Sequence, residues 1–163
     1  MPSLSMGARR RAWGVGVDAE WFALRDSDAA LCQAWLQIRS MGNFRELEVW
    51  QVAKRLSVSI YRISRCLPYS ERATLGDQMR RASVSVASNI AEGSGRWTDK
   101  QCVHYLRIAR GSLQELQTQL EIAEELSMLQ SSEVAELAKM ADQTSRLLAG
   151  LIRYRSNPRR PKS

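Results

Sequence analysis

The chain is predicted to fold as an all-α, antiparallel up-down-up-down four-helix bundle with an N-terminal extension. Three observations predict it. Apolar residues from Phe44 onward recur at spacings of three and four, the period of one helical face. No segment alternates apolar and polar residues as a half-buried strand would. The breaks between periodic segments are short, and helices joined by short turns pack as antiparallel neighbours.

The segment Arg80 to Trp97 organises the rest. Leu75, Met79, Ala82, Val86 and Ile90 form a helical stripe, and Ser83, Ser85, Ala87, Ser88 and Ala91 sit between them. Small side chains on several faces let neighbouring helices approach closely, so this helix is expected to be central. Gly93-Ser94-Gly95 is expected to end it, with glycine in the left-handed conformation. Thr98-Asp99-Lys100-Gln101 fits a capping box for the next helix.

Taken in order, residues 1–40 read as an appendage, poorly ordered or partly helical. Asp18 to Arg39 carries Trp21, Leu24, Ala30, Leu31, Trp35 and Ile38, but Asp26-Ser27-Asp28 interrupts their pattern. Met41-Gly42-Asn43 resembles a natural start, as if the first 40 residues came from an upstream start codon. The bundle is assigned to residues 41–156. In its first helix Leu47, Trp50, Ala53, Leu56, Ile60, Ile63 and Leu67 line one face, and Pro68 stops it. The second helix is expected from about Glu71 to Glu92. The third begins at Thr98, buries Val103, Leu106, Ala109, Leu113, Leu116, Leu120 and Ala123, and reaches Leu126 or Met128. Ser131 and Ser132 are the expected N-caps of the fourth, whose stripe is Val134, Leu137, Ala141, Leu147, Leu148 and Leu151. Asn157-Pro158 ends it, and residues 157–163 form a basic tail.

Composition narrows the function. The 163 residues carry a net charge of +7, and 20 of the 24 cations are arginine, the side chain suited to bidentate phosphate contacts. Residues 41–110 hold 12 basic and 6 acidic groups, residues 111–142 hold 1 and 7, and residues 143–163 hold 6 and none. The antiparallel topology collects the cations at one end, where helices 1 and 3 start and helices 2 and 4 finish. Arg96, Lys100, Arg107, Arg110, Arg153 and Arg155 fall there, and Arg80 and Arg81 are expected on the exposed side of helix 2. These eight form the candidate nucleic-acid-binding set, able to neutralise phosphates without reading bases. Trp97 offers a ring for base stacking, although a packed tryptophan at a helix junction is the expectation. At the other end Arg62, Arg65 and Arg72 meet Glu121, Glu124 and Glu125, a candidate charge-paired interface between subunits. A solvated arginine-rich surface is the plainer alternative.

Catalysis, metals, cofactors and membranes find no support. His104 is the only histidine, and Cys32, Cys66 and Cys102 lie far apart, as reduced thiols of a cytoplasmic protein do. Gly93-Ser94-Gly95 lacks the phosphate-loop pattern and a preceding strand. No apolar run approaches the roughly 18 residues of a membrane span. Asn89 and Glu92 are expected to serve interhelical hydrogen bonding, with Glu92 pairing Arg96. Gly111 in mid-helix costs about 1 kcal/mol relative to alanine, which close packing within the bundle or across subunits would explain.

Four blocks carry a resemblance. They are Phe44-Arg45-Glu46-Leu47-Glu48-Val49-Trp50-Gln51, Gln78-Met79-Arg80-Arg81-Ala82-Ser83-Val84-Ser85-Val86, Ser88-Asn89-Ile90-Ala91-Glu92-Gly93 and Ile108-Ala109-Arg110-Gly111-Ser112-Leu113-Gln114-Glu115-Leu116. In this order they resemble the four-helix bundle proteins encoded in intervening sequences of bacterial 23S ribosomal RNA genes. The likeness covers Phe44 to Tyr154. It implies a ring-shaped homopentamer. Through the related accessory proteins of diversity-generating retroelements, it also implies nucleic-acid binding by basic surface and docking of a reverse transcriptase. The expected function is therefore non-enzymatic binding of RNA or DNA by an oligomeric bundle; the alternative is a protein–protein adaptor.

Overall fold

A computed structural model describes residues 43–157 of the chain. The expectations for residues 1–40 and for the tail beyond Asn157 lie outside the described residues. Four long helices account for most of what is described: α1 (Glu48–Ile63), α2 (Leu75–Ser94), α3 (Asp99–Glu125) and α4 (Ser131–Ser156). Among the described residues there is no strand.

A single 3₁₀ turn, Phe44–Glu46, leads into α1, and the Asn43 side chain accepts the Arg45 amide at 3.2 Å. Phe44 and Trp50 meet edge to face, with ring centroids 5.0 Å apart. Val49, Val52, Ala53, Leu56, Ile60 and Ile63 form the buried face of α1. Trp50 is only half-buried, because the core-facing stripe runs through Val49 and Val52.

The α1–α2 connection departs from expectation. Helix α1 ends at Ile63, and tight turns carry the chain to the buried Leu67 and to Pro68. One helical turn follows, Tyr69–Arg72, and α2 starts only at Leu75. Arg80 is the reason. Its guanidinium donates to the Arg72 carbonyl (2.9 Å), the Ser64 hydroxyl (3.0 Å) and the Asp77 carboxylate (2.6 Å). A continuous helix would offer the Arg72 carbonyl to the Gly76 amide. Here Arg80 takes it and ties the end of α1, the connection and the start of α2 together.

Helix α2 buries Met79, Ala82, Ser83, Val86, Ile90 and Gly93, close to the predicted stripe. Its small residues set the helix spacing. The Ser57 hydroxyl of α1 donates to the Ser83 carbonyl at 2.7 Å, and Ser85 shares a 2.8 Å hydrogen bond with Ser112 of α3. Asn89 turns inward along its own helix, donating to the Ser85 carbonyl at 2.8 Å. A side chain at Gly93 would meet the Cys102 carbonyl and the Tyr105 Cβ, each at 3.1 Å. The predicted left-handed glycine is absent: Gly95 has φ −83°, and no described glycine has positive φ. Glycine is required here for helix approach, not for a left-handed turn.

Thr98 caps α3, accepting the Gln101 amide at 3.3 Å. Helix α3 buries Leu106, Ala109, Leu113, Leu116, Leu120 and Ala123, as expected. It closes on Ser127 at φ 54°, with the Met128 amide on the Ala123 carbonyl (2.9 Å) and the Ser127 amide on the Glu124 carbonyl (2.8 Å). That is the Schellman arrangement, with serine where glycine is usual. Gln130, not Ser131 or Ser132, caps α4, in a reciprocal box with Glu133. The N-terminal carboxylate suits the helix dipole. Asn157 is the C-cap of α4.

The contacts give the topology. Arg80 at the start of α2 reaches Ser64 at the end of α1, Gly93 late in α2 meets Cys102 early in α3, and Arg155 late in α4 binds Asp99 at the start of α3. Consecutive helices are therefore antiparallel, and α1 packs against α4 to close the bundle. Leu56, Ile60, Met79, Ile90, Leu106, Leu113, Leu116 and Leu148 fill the centre with no exposure above 1%. Each such side chain contributes about 1.5–3 kcal/mol by leaving water.

The two helical glycines give opposite predictions. Gly93→Ala forces α2 from α3 against a backbone carbonyl, so stability should fall by about 1–2 kcal/mol despite alanine's better helix propensity. Gly111 has no atom within 4 Å of a would-be Cβ, which excludes packing within the bundle as its explanation. Gly111→Ala should gain about 1 kcal/mol in denaturant titrations. A loss there would place a second chain against that face.

Asp77 supplies a pH prediction. The hydrogen bond from Arg80, with the charges of Arg80 and Arg81, holds its carboxyl below the usual 3.8 against a smaller opposing effect of burial. Folding thus favours the ionised form. The stabilisation is complete above 3.8 and is lost as pH falls through the lower, folded value. In acid titrations followed by circular dichroism, the stability difference between wild type and Asp77→Asn should be constant near neutrality and shrink below pH 3.8. A difference unchanged at low pH would contradict this.

Candidate nucleic-acid interface

The turn between α2 and α3 is built on the close approach at Gly93. With Cys102 and Tyr105 against that glycine, the chain leaving α2 passes directly over Tyr105. Arg96 lies there, its guanidinium 4.6 Å from the Tyr105 ring centroid, donating to the Tyr105 hydroxyl at 2.7 Å and to Glu92. The predicted Glu92–Arg96 pair is present. His104 meets the Tyr105 ring edge-on at 5.5 Å. Arg96, Thr98, Lys100, Gln101, His104 and Tyr105 line a concavity of about 510 Å³. Trp97, between two of these lining residues, is 100% exposed, contrary to the packed junction expected of it.

From this concavity a cationic track runs along α3. Lys100, His104, Arg107 and Gly111 follow at spacings of four, three and four, and all are exposed. Arg110 is exposed beside them. None of Lys100, Arg107 and Arg110 forms an ion pair among the described residues. Arg153 is exposed on the last turn of α4, at the same end.

Two arginines of the predicted set are not on open surface. Arg155 is 8% exposed and bound to Asp99 at 2.8 Å, joining the ends of α4 and α3. Arg80 keeps 23% of its side chain exposed and is occupied by the α1–α2 connection. Its partner Arg81 is exposed, 3.7 Å from Asp77, but fifteen residues before Arg96 on α2, roughly 22 Å along the axis. The structure therefore brings Arg96, Lys100, Arg107 and Arg110 together and leaves Arg80 and Arg81 apart.

At the opposite end Arg62, Arg65, Glu121 and Glu125 are exposed and Glu124 is half-buried; among the described residues no ion pair joins the two groups. Arg72 is exposed and donates to the Leu67 carbonyl at 2.9 Å. Sequence reading missed a second concavity, a groove of about 670 Å³ between α1 and α2. Phe44, Trp50, Val58, Tyr61, Val84 and Ala87 give it apolar walls, with Lys54, Arg62 and Arg65 beside them. Its sequence signal was the apolar residues off the core stripes: Val58, Tyr61 and Val84 are 42–49% exposed.

Among the described residues no three metal-ligating side chains cluster, and no helix is long and apolar enough to cross a membrane. Cys66 is exposed and Cys102 is buried.

Comparison with known proteins agrees with this architecture. Among proteins of curated function, none matches the chain. A crystal structure of a protein of unknown function from the S23 ribosomal protein family of Bacteroides thetaiotaomicron is similar, with TM-score 0.60 and 19% identity, over 64% of this chain and 97% of that one. At that identity the likeness speaks to the fold alone. The family model for the 23S rRNA-intervening sequence protein matches residues 45–150, from the turn before α1 to near the end of α4. The chain belongs to the 23S rRNA-intervening sequence protein family.

Proposed function

We propose that this bundle is a non-enzymatic, cytoplasmic protein that binds RNA or DNA through the basic surface at the α2–α3 turn, without strong sequence specificity. The observation that carries the reading is the track of Lys100, Arg107 and Arg110, exposed and without acidic partners among the described residues. Unneutralised cations on one helical face release counterions from a phosphate backbone and read no base edges. The family's name refers to an intervening sequence of 23S rRNA, which supports an RNA partner.

A second reading rests on the groove between α1 and α2. Val58, Tyr61 and Val84 leave apolar side chains 42–49% exposed along it. Self-association would cover them, with the pentamer implied by resemblance as its form and Arg62, Arg65 and Arg72 facing Glu121, Glu124 and Glu125 of a neighbour. An adaptor would offer the same face to another protein, such as a reverse transcriptase.

Two measurements test these readings. Duplex affinity measured across salt concentrations should fall log-linearly, and Arg107→Ala with Arg110→Ala should flatten the slope by about 2 units, near 0.9 per phosphate contact. Arg155→Ala, by contrast, should cost about 1–3 kcal/mol of stability and leave the slope unchanged. An unaltered slope in the double variant rejects the assigned surface. Sedimentation should show the 18.5 kDa chain as an oligomer that Val84→Asp dissociates without unfolding. A monomeric wild type would reject self-association and leave the groove to a different protein.

A further inference from the structure

Phosphate neutralisation leaves the indole of Trp97 without a role. That side chain lies wholly in water, a large apolar ring left unburied. Its chain neighbours on both sides, Arg96 and Thr98, line the 510 Å³ concavity. The groups there are polar and varied: the Lys100 ammonium, the Gln101 carboxamide and the His104 imidazole are all exposed. Arg96 is not a free cation. Its bonds to Glu92 and Tyr105 make it a fixed wall that holds the turn and, with it, Trp97.

Resting on the nucleic-acid reading above, we propose that this concavity takes one unpaired nucleotide of a single strand. The base stacks on the Trp97 indole. Gln101 and His104 meet its hydrogen-bonding edge, and Lys100 takes the adjoining phosphate. Arg107, two helical turns on and roughly 10 Å away, continues the phosphate track. Stacking needs an open base face, and in a continuous duplex both faces are covered by neighbouring pairs. Single-stranded segments, loops and bulges are therefore the substrates of this site, whereas the cations alone bind paired and unpaired strands alike. The stacking is tolerant of base identity because every base presents a π-face. A protein partner is the less suited occupant, since the surroundings of the indole are cationic and polar, not apolar.

The test uses the full chain with labelled 20-nucleotide oligouridylate and oligothymidylate and a blunt 20-base-pair RNA duplex, followed by anisotropy at fixed low salt. Trp97→Ala should weaken single-strand binding roughly 5- to 150-fold and leave duplex affinity within about twofold. Trp97→Phe should restore most of the loss. Being fully exposed, position 97 tolerates both changes without loss of fold. If wild type binds single strand and duplex and Trp97→Ala changes neither, or both equally, the stacking site is wrong while the phosphate reading stands. If wild type binds none of the three probes, both readings fail. A Trp97→Ala variant that keeps single-strand affinity but dissociates the oligomer would assign the indole to a subunit contact and overturn the proposal. Comparing the uridylate and thymidylate arms reads which sugar the site accepts.

Discussion

The close approach of α2 to α3 at Gly93 is the constraint on which the rest depends. Two helices can bring backbone and Cβ within about 3 Å of an absent side chain only where that side chain is hydrogen. Ser85 against Ser112 continues the same seam one level deeper, and Ser57 against Ser83 repeats it toward α1. Helix α2 is thus central because its side chains are small on two faces. The seam does more than hold the core. It decides where the chain emerges, so Arg96 lands over Tyr105 and Trp97 faces water. A glycine late in α2 thereby shapes the surface several residues further on.

Arginine has two separate uses in this protein. Arg80 and Arg155 bind carbonyls, hydroxyls and carboxylates and sit where helix ends meet. A planar guanidinium with five donors in a fixed fork can satisfy several orphan acceptors spread around it, where lysine offers three donors on a single atom. Arg107 and Arg110 have no such partners among the described residues, and neither does Lys100. Net charge alone does not distinguish these uses. The +7 of the whole chain includes cations that are spent on structure and contribute little to any external field.

The spacing of apolar residues located all four helices, since burial of one face every 3.6 residues leaves a strong trace. The same trace contained the fate of Arg155. It follows Leu148 and Leu151 at seven and four residues, on the buried stripe of α4. Its charge, read as a mark of surface, outweighed its position. Arg80 was less legible, because its role depends on where the α1–α2 connection folds back, and loop geometry leaves no periodic signal. The end of α2 was misread for a related reason. A glycine after a helix suggests left-handed closure, yet the bundle uses Gly93 for packing and closes α3 with left-handed Ser127 instead. Trp97 lies in a turn, outside any period, so only the three-dimensional fold could separate a packed indole from an open one.

Helix α2 joins the two surfaces that function would use. Val84, Ala87, Ser88 and Ala91 form part of the groove wall, while the C-terminal end of the same helix leads Arg96 into the basic concavity and leaves Trp97 exposed beside it. A partner in the groove and a nucleic acid at the α2–α3 turn occupy different stretches of one rigid element, so both can be held together. A single copy presents only a few open cations at that turn, too few for tight binding at physiological salt, where each phosphate contact is weakened by counterion competition. If the groove is covered by further copies of the chain, the basic ends are displayed side by side. Each added end then binds at an effective concentration set by the assembly instead of by bulk solution. Burial of Val58, Tyr61 and Val84 would thus supply both the cohesion of the assembly and the multiplicity of the phosphate contacts that a lone bundle lacks.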